Sequence, residues 1–339
     1  MKIAIHHSKG SFSERWIAYC KTNKIDYKIV NAYDSDIVAQ VEDCDAFMWH
    51  HHHANYKDAL FAKPLLYSLQ MAGKVVFPDF NTGWHFDDKV GQKYLLEAIG
   101  APLVPSFAFY TKAEALKWAN ETTFPKVFKL RGGAGAANVK LARTKSDAVK
   151  LINKAFGSGF SQFDRIGHLK ERFNKWRQGK DTLIGVAKGI ARLFIPTEFA
   201  KFHAPEKGYA YFQEFIPNNT FDIRVIVIGG KAFAVKRMCR ENDFRASGSG
   251  NPKYDRSEID MKCVEKAFKI TKAMNGTCVG FDFVFDKDNN PLIVELGYGF
   301  AVNFYDACPG YWTSDLAYHE ENFNPQSWMV EEVIKAVKK

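Results

Sequence analysis

The segment GFDFVFDKDNNPLIVEL, residues 280–296, has the composition to set two carboxylates side by side. Lys287-Asp288-Asn289-Asn290 reads as a turn, because Asp and Asn hydrogen-bond their own backbone and tolerate turn conformations. A turn centred between Asp288 and Asn289 sets 286 against 291, 284 against 293 and 282 against 295. Side chains alternate faces along a strand. One face then gathers Phe281, Phe283, Phe285, Leu292, Val294 and Leu296, and the other sets Asp282 directly opposite Glu295. Opposed like charges destabilise a strand pair, so something must offset them. Mg²⁺ suits the task, since it takes one or two carboxylates together with substrate phosphates. A solvated polar face is the alternative.

Two lysines and a small-residue loop supply charge of the other sign. Lys129 ends the apolar run Val127-Phe128-Lys129-Leu130 and leads into Arg131-Gly132-Gly133-Ala134-Gly135-Ala136-Ala137-Asn138. Amides in a loop with almost no side chains can approach phosphates closely. The loop matches neither the Walker A pattern nor the dinucleotide fingerprint, and a tight hairpin would explain it equally. Lys89 follows Asp87-Asp88 at a helix start, where ordinary surface charge is the plain reading.

The elements that must position these groups follow from periodicity. Strands over 2–6, 26–31, 45–49 and 74–78 alternate with helical patterns beginning at Phe12 and over 56–72, which argues for a small parallel α/β unit. Ligands sit beyond the carboxyl ends of such strands, here Lys9-Gly10-Ser11 and His50 to His53. Adjacent histidines on a strand point apart, so a metal site is disfavoured there against a substrate-binding or proton-relay histidine, or a plain loop. A helix over 86–98, strands at 106–109, 124–130 and 138–142, and a helix over 145–156 follow. Strands at 209–215, 221–228 and 231–238 precede a helix over 257–274, entered at Ser257 through a Ser257/Asp260 capping pattern. The carboxylate hairpin and a helix over 327–338 complete the chain.

The chain has 339 residues, enough for two or three lobes, and 46% hydrophobic with 25% charged residues is ordinary globular composition. No run is long and apolar enough to span a bilayer, and the N-terminus lacks a signal-peptide core, so the cytoplasm is the expected compartment. The six cysteines form no CxxC pair and read as reduced core thiols. A net charge of +9 suits anionic substrates; no nucleic-acid-binding module accompanies it. Residues 160–208 carry ten Lys/Arg against five Asp/Glu. That stretch suits an anionic substrate, peripheral contact with an anionic membrane, or a solvated helical insertion.

The order of these parts resembles the ATP-grasp superfamily. The resemblance rests on DDKVGQKYLLEAIGAPLVPSF around Lys89, FPKVFKLRGGAGAANVKL around Lys129, YFQEFIPNNTFDIRVIVIGGKAFAVKR, RENDFRASGSG, and the hairpin with Asp282 and Glu295. It runs from about residue 86 to 297 and is strongest to the ribosomal-protein glutamate ligase and related peptide ligases. D-alanine–D-alanine ligase and tubulin tyrosine ligase are more distant likenesses. The resemblance implies an α/β protein with α+β lobes in three parts. These are an N-terminal parallel α/β domain over 1–85, a lid subdomain over 86–212 carrying the basic insertion, and a C-terminal antiparallel-sheet subdomain over 213–339 with the metal site. It implies that Lys89, Lys129, Gly132, Gly133 and Gly135 meet the phosphates of ATP, that Gln213, Glu214, Phe215 and Ile216 hold adenine, and that Asp222 lies toward the ribose or phosphates. Arg224, Arg237 and Arg245 are the implied catalytic cations. Asp282 and Glu295 would hold Mg²⁺. The family's usual Asn two residues after the glutamate is Gly297 here, which leaves Asn303 as the candidate third ligand.

The implied reaction is an ATP-dependent carboxylate–amine ligation through an acyl phosphate, yielding ADP and phosphate. Positioning and cations dominate such phosphoryl transfer. The expected partners are a small-molecule carboxylate and an amine. The aromatic stretch Cys308–His319 reads equally as a substrate-binding surface or as a structural turn packing the C-terminal helix; it resembles the tails of ATP-grasp proteins tied to surface-polysaccharide assembly, which points to a sugar carboxylate. A protein- or peptide-modifying amino-acid ligase is the second reading. An ATP-binding pseudoenzyme or assembly module is the third, and Gly297 supports it. The donor, the acceptor and the oligomeric state are not set by the sequence.

Overall fold

The computed structural model describes residues 1–133, 138–161, 204–239, 245–246 and 251–339, with Phe173, Trp176, Thr182, Gly185, Ala187 and Lys188 between. Gly135, most of the basic stretch and much of the Arg245–Asn251 loop lie outside the described residues.

The chain begins as an alternation of strand and helix: β1 (Lys2–His6), α1 (Phe12–Thr22), β2 (Asp26–Val30), α2 (Ile37–Gln40), β3 (Ala46–Trp49), α3 (Tyr56–Met71), β4 (Val75–Phe77) and α4 (Phe80–Gly83). The four strands are parallel in the order β2-β1-β3-β4. Alternation along them divides the apolar residues between two cores. Ala4, Phe47, Trp49 and Val76 pack with Ala62, Leu66 and Leu69 of α3. Ile3, Ile5, Met48 and Phe77 face the opposite way, onto Trp16 of α1 and the rest of the molecule.

α5 (Lys89–Ala98), capped by Asp88, leads to β5 (Ser106–Phe109), α6 (Lys112–Glu121), β6 (Lys126–Lys129), β7 (Val139–Ala142), α7 (Lys145–Ala155) and β8 (Ala210–Glu214). These strands form an antiparallel sheet in the order β5-β8-β6-β7, with α6 and α7 packed on it through Ala115, Ala148 and Ile152 against Phe128 and Phe212. The sequence reading passed over α6, which Thr111 caps. It also passed over the reciprocal Thr144/Asp147 capping box at the start of α7.

A larger antiparallel sheet follows: β9 (Phe221–Ile228), β10 (Lys231–Met238), β11 (Pro252–Lys253), β12 (Cys278–Phe285), β13 (Pro291–Gly297), β14 (Tyr311–Thr313) and β15 (Tyr318–His319), with α8 (Met261–Met274) and α9 (Pro325–Val337). Its order is β13-β12-β9-β10-β14-β15, with β11 paired to β10. Asp260, not Ser257, caps α8, accepting from the Lys262 amide at 2.8 Å. Ser257 lies in a short 3₁₀ turn before it. One face of the sheet, with Ile223, Val225, Val227, Val279, Phe281 and Phe283, is sealed by Val264, Ala267 and Ile270 of α8. The other face is apolar at one end, where Ile226, Ile228, Phe233 and Val235 meet Trp328, Met329 and Val333 of α9. Toward the opposite end the same face changes to Asp222, Arg224, Arg237 and Asp282.

All six cysteines are free thiols, five of them buried, in line with the sequence reading. Among the described residues no helix is long and apolar enough to cross a membrane. The aromatic stretch near the C-terminus is a β14–β15 hairpin that extends the large sheet, with Trp312 at 2% exposure and Tyr311 packed edge-on against Phe323 and Trp328.

Candidate active site

A cavity of about 520 Å³ opens between the β5-β8-β6-β7 sheet, the charged end of the large sheet and the ends of the N-terminal strands. Its floor is the carboxylate hairpin. Asp282 on β12 pairs directly with Glu295 on β13, as the turn geometry predicts. The predicted register also holds at Phe281/Leu296 and fails only toward the turn. A bulge follows Asp282, so Phe283 pairs with Ile293 and Val284 with Leu292. One extra residue on β13, Val294, has no partner, as a bulge requires. Beyond it Ile293 goes to the core at 0% exposure, while Val294 and Val284 line the cavity. The bulge aims the Val294 carbonyl at Lys129 Nζ, 3.4 Å away.

The repulsion between Asp282 and Glu295 is already offset by side chains. Lys89 Nζ lies 3.1 Å from Glu295 Oε1. Arg237 Nη2 lies 2.9 Å and Arg224 Nη1 3.5 Å from the Asp282 carboxylate. Burial pushes Asp282 up, but Arg224 and Arg237 outweigh it and hold the carboxyl below its ordinary range. Arg237 also grips Asp222 through two hydrogen bonds of 2.7 and 2.6 Å. Burial pushes Asp222 up to about 6, and the guanidinium keeps it ionised at neutral pH. Gly280 permits this close packing, since a Cβ there would lie 2.9 Å from the Gly297 carbonyl and 3.4 Å from Arg224 Nη2.

Lys129 is buried on β6, donating to Gln213 Oε1 at 2.6 Å. Gln213 is fixed in turn by Ser106 Oγ at 3.1 Å. Burial pushes the Lys129 ammonium down to about 8, against the pull of Glu295. Lys89 opens α5, with its Nζ 2.8 Å from the Gly133 carbonyl. Burial disfavours its charge, but Glu295 and Asp87 more than offset that and hold it protonated. Gly133 has a φ of +97°, a region open to glycine at no steric cost. Lys126 pairs with Glu214 at 2.6 Å, and Asn219 pins the following loop to the Phe285 backbone through bonds of 2.9 and 2.8 Å. Gln213, Glu214, Phe215 and Ile216 therefore form one wall of the cavity.

The structure brings together Lys89, Lys129, Gly133, Gln213 to Ile216, Asp222, Arg224, Arg245, Asp282 and Glu295 around this cavity. Arg237 lies beneath the surface as a brace for two carboxylates and is not among the lining residues. Gly132 adjoins the lining through Gly133. Asn303 is elsewhere: its Oδ1 accepts from Arg15 of α1 at 2.9 Å, beside the Arg15–Asp306 ion pair. It contributes nothing to the acidic pair, and Gly297 supplies no side chain in its stead. None of residues 308–319 lines the cavity either.

The four histidines diverge. His50 Nδ1 accepts from the Phe12 amide at 3.1 Å with its ring stacked on Phe12. His51 is buried against Tyr298 and Phe86. His52 Nδ1 accepts from the Ala54 amide. His50, His52 and His53 all line the cavity, and burial pushes His53 down to about 4, so it is neutral at physiological pH. Sequence reasoning missed Asp87 and Glu206, which bind the glycine-rich loop, because no local pattern marks them.

Among the described residues no cluster of three or more His, Cys, Asp or Glu side chains is arranged to hold a metal ion. The acidic pair nonetheless fits Mg²⁺ bound jointly with phosphates. Asp282 Oδ1 is buried and receives no hydrogen bond, Glu295 is 32% exposed toward the cavity, and Mg²⁺ needs only one or two carboxylates when phosphates complete its shell.

Comparison with known proteins agrees with this geometry. Residues 204–303 match the RimK-like ATP-grasp domain, and residues 88–181 match the ATP-binding domain of the carbamoyl-phosphate synthase L chain. The alpha-aminoadipate–LysW ligase LysX of Saccharolobus solfataricus is 21% identical over 321 residues, covering 93% of this chain and 95% of that protein. Among solved structures, D-cycloserine synthetase DcsG superposes with a TM-score of 0.57 at 11% identity, over 98% of this chain and 100% of that one. The ATP-grasp ligase PsnB in complex with its precursor peptide PsnA2 and AMPPNP gives 0.54 at 12% identity, over 100% and 98%. The two ATP-grasp matches, one running into the basic stretch and the other beginning near its end, and the relative matched over 93% of this chain agree: the chain is a member of the ATP-grasp superfamily, and its residues 204–303 match the RimK-like domain within it.

Proposed function

We propose that this chain is an ATP-dependent carboxylate–amine ligase that activates its acid as an acyl phosphate and releases ADP and phosphate. The observation that carries the reading is the convergence of Lys89, Lys129, Arg224 and the Asp282/Glu295 pair on one cavity walled by Gln213 to Ile216. Adenine would lie along that wall, its edge met by backbone groups, and the phosphates would run toward Lys129, Lys89 and Gly133. Asp282 and Glu295 would hold Mg²⁺, which when bound neutralises charge on the phosphoryl oxygens.

Arg224 is the residue placed to orient the acid. It faces the cavity, and its Nη2 is fixed by the Gly299 carbonyl at 3.1 Å. A carboxylate oxygen there attacks the terminal phosphorus in line, and ADP leaves. The amine nitrogen then attacks the acyl carbon, the tetrahedral oxyanion is stabilised by the same guanidinium, and phosphate departs with the proton. Arg237 takes no direct part; it keeps Asp222 and Asp282 ionised and in place.

A protein or peptide as one of the two substrates is favoured over a free small acid by the named relatives. LysX, matched over 95% of its length, is named as a ligase of alpha-aminoadipate and LysW, and PsnB is seen with a precursor peptide. The sugar-carboxylate reading loses its footing, because the aromatic tail that suggested it is a structural hairpin away from the cavity.

The test is product analysis with Mg-ATP and pooled carboxylates, amines and peptides, on the wild type and Glu295→Gln. Amine-dependent ADP and phosphate that vanish in the variant support the ligase. AMP and pyrophosphate would overturn the acyl-phosphate route. Tight ATP binding with no turnover in any pool would favour a nucleotide-binding module, in keeping with Gly297.

A further inference from the structure

The glycine-rich loop holds carboxylates where a nucleotide would place phosphate. Three consecutive amides, those of Arg131, Gly132 and Gly133, donate to acidic side chains. The Gly133 amide donates to Asp87 Oδ1 at 2.7 Å. The Gly132 amide reaches Glu206 Oε1 at 3.3 Å, and the Arg131 amide reaches Glu206 Oε2 at 3.2 Å and Tyr209 Oη at 2.6 Å. Successive amides of this kind form a concave anion-binding surface. Lys89 closes the ring, its Nζ 2.8 Å from the Gly133 carbonyl.

Asp87 is held at its post by the backbone. Its φ is +57°, an uncommon conformation for any residue but glycine, and one that Asn and Asp adopt more readily than most. The Lys89 amide donates to the Arg131 carbonyl at 2.9 Å, so the turn carrying Asp87 is tied to the loop it caps. Glu206 comes from the far side of the lid, where its backbone pairs with Phe160. The two carboxylates thus reach the loop from opposite sides, one from the segment before α5 and one from the strand approach to β8.

We propose that Asp87 and Glu206 are built-in competitors for the nucleotide phosphates: they occupy the loop amides in the empty protein, and ATP must displace at least the Asp87 carboxylate to dock. This rests on the reading of the loop as the phosphate site. The arrangement keeps the amides satisfied when no nucleotide is present, since a partly buried amide without an acceptor is costly. It also lowers the affinity for ATP, because one anion is exchanged for another. The charge that aids the empty loop is the charge that opposes the filled one.

The test is equilibrium binding of Mg-ATP and of AMP to the full chain, wild type against Asp87→Asn and Asp87→Gly. Both replacements tolerate the positive φ. Asn keeps an oxygen to accept from the Gly133 amide and removes only the charge; Gly removes the side chain. Asp87→Asn is expected to tighten ATP about 2- to 5-fold and to leave AMP unchanged, with Glu206→Gln adding a smaller gain. A variant that binds ATP no better than wild type, or that gains equally for AMP, overturns the competition. A wild-type chain that binds no ATP, while its melting transition is cooperative, instead overturns the reading of the cleft itself. Asp87→Gly decides the matter if Asp87→Asn fails to fold.

Discussion

The two ends of one sheet face make the most informative contrast in the molecule. At one end Ile226, Ile228, Phe233 and Val235 lie under α9 in a dry, close-packed core. At the other, on the same strands and facing the same way, Asp222, Arg224, Arg237 and Asp282 form a chain of ion pairs with side chains 9–19% exposed. The apolar end holds the fold through burial alone, and any one side chain there touches neutral neighbours. At the charged end each group is tolerable only because the next one is present. Removing one member leaves the others unpaired in a poorly hydrated place, so the same face is robust at one end and interdependent at the other.

The largest effect should come from Glu295→Gln. It removes a cavity-facing charge and leaves Asp87 as the remaining carboxylate beside buried Lys89, so ligase turnover should fall by about 10³-fold with only a modest drop in melting temperature. A large loss of stability in that variant would place Glu295 with the interdependent ions. Next, Arg237→Met leaves Asp222 and Asp282 facing one another without their brace. Denaturant unfolding should show a loss of about 3–5 kcal/mol, accompanied by weaker ATP binding. Phe233→Ala at the apolar end should cost about 3–5 kcal/mol as well but leave ATP affinity intact, which separates the two ends by function and not by stability. The smallest effect is a titration. Below about pH 8 Lys129 carries its charge, and above it the ammonium is lost, so ATP affinity should decline as the pH rises through that range. Arg in its place stays protonated, and Lys129→Arg should flatten the decline in a fluorescence binding assay.

Much of this was legible in the residues, and the reasons for the failures are specific. Asp282 opposite Glu295 followed from one turn and a period of two. The bulge one step later did not, because Val294 is apolar and suits either face, so no residue marks the shift. Ser257 and Asp260 both make good helix caps, and the choice between them is made by where the first turn packs against the sheet. The aromatic stretch after residue 308 looked like a binding surface because Tyr and Trp serve both purposes; its position on the edge of β10 is a long-range fact. Asp87 and Glu206 are distant in sequence from the loop they bind, and nothing nearby in the chain identifies their partner. Asn303 was chosen for its side-chain chemistry, but Arg15, from the first helix, claims it.

The last helix has a consequence for how the chain comes to be folded. Ile3, Ile5, Phe12 and Trp16 share one buried cluster with Trp328, Met329, Val330 and Val333, and α9 packs on both α1 and β4. As the polypeptide emerges from the ribosome, the part of this sheet face that α1 does not cover therefore stays open until residues 325–337 have cleared the exit tunnel. The partner that completes the earliest strands is synthesised long after them, and a nascent chain halted before it would expose part of the inner face of a sheet that is otherwise ready to close.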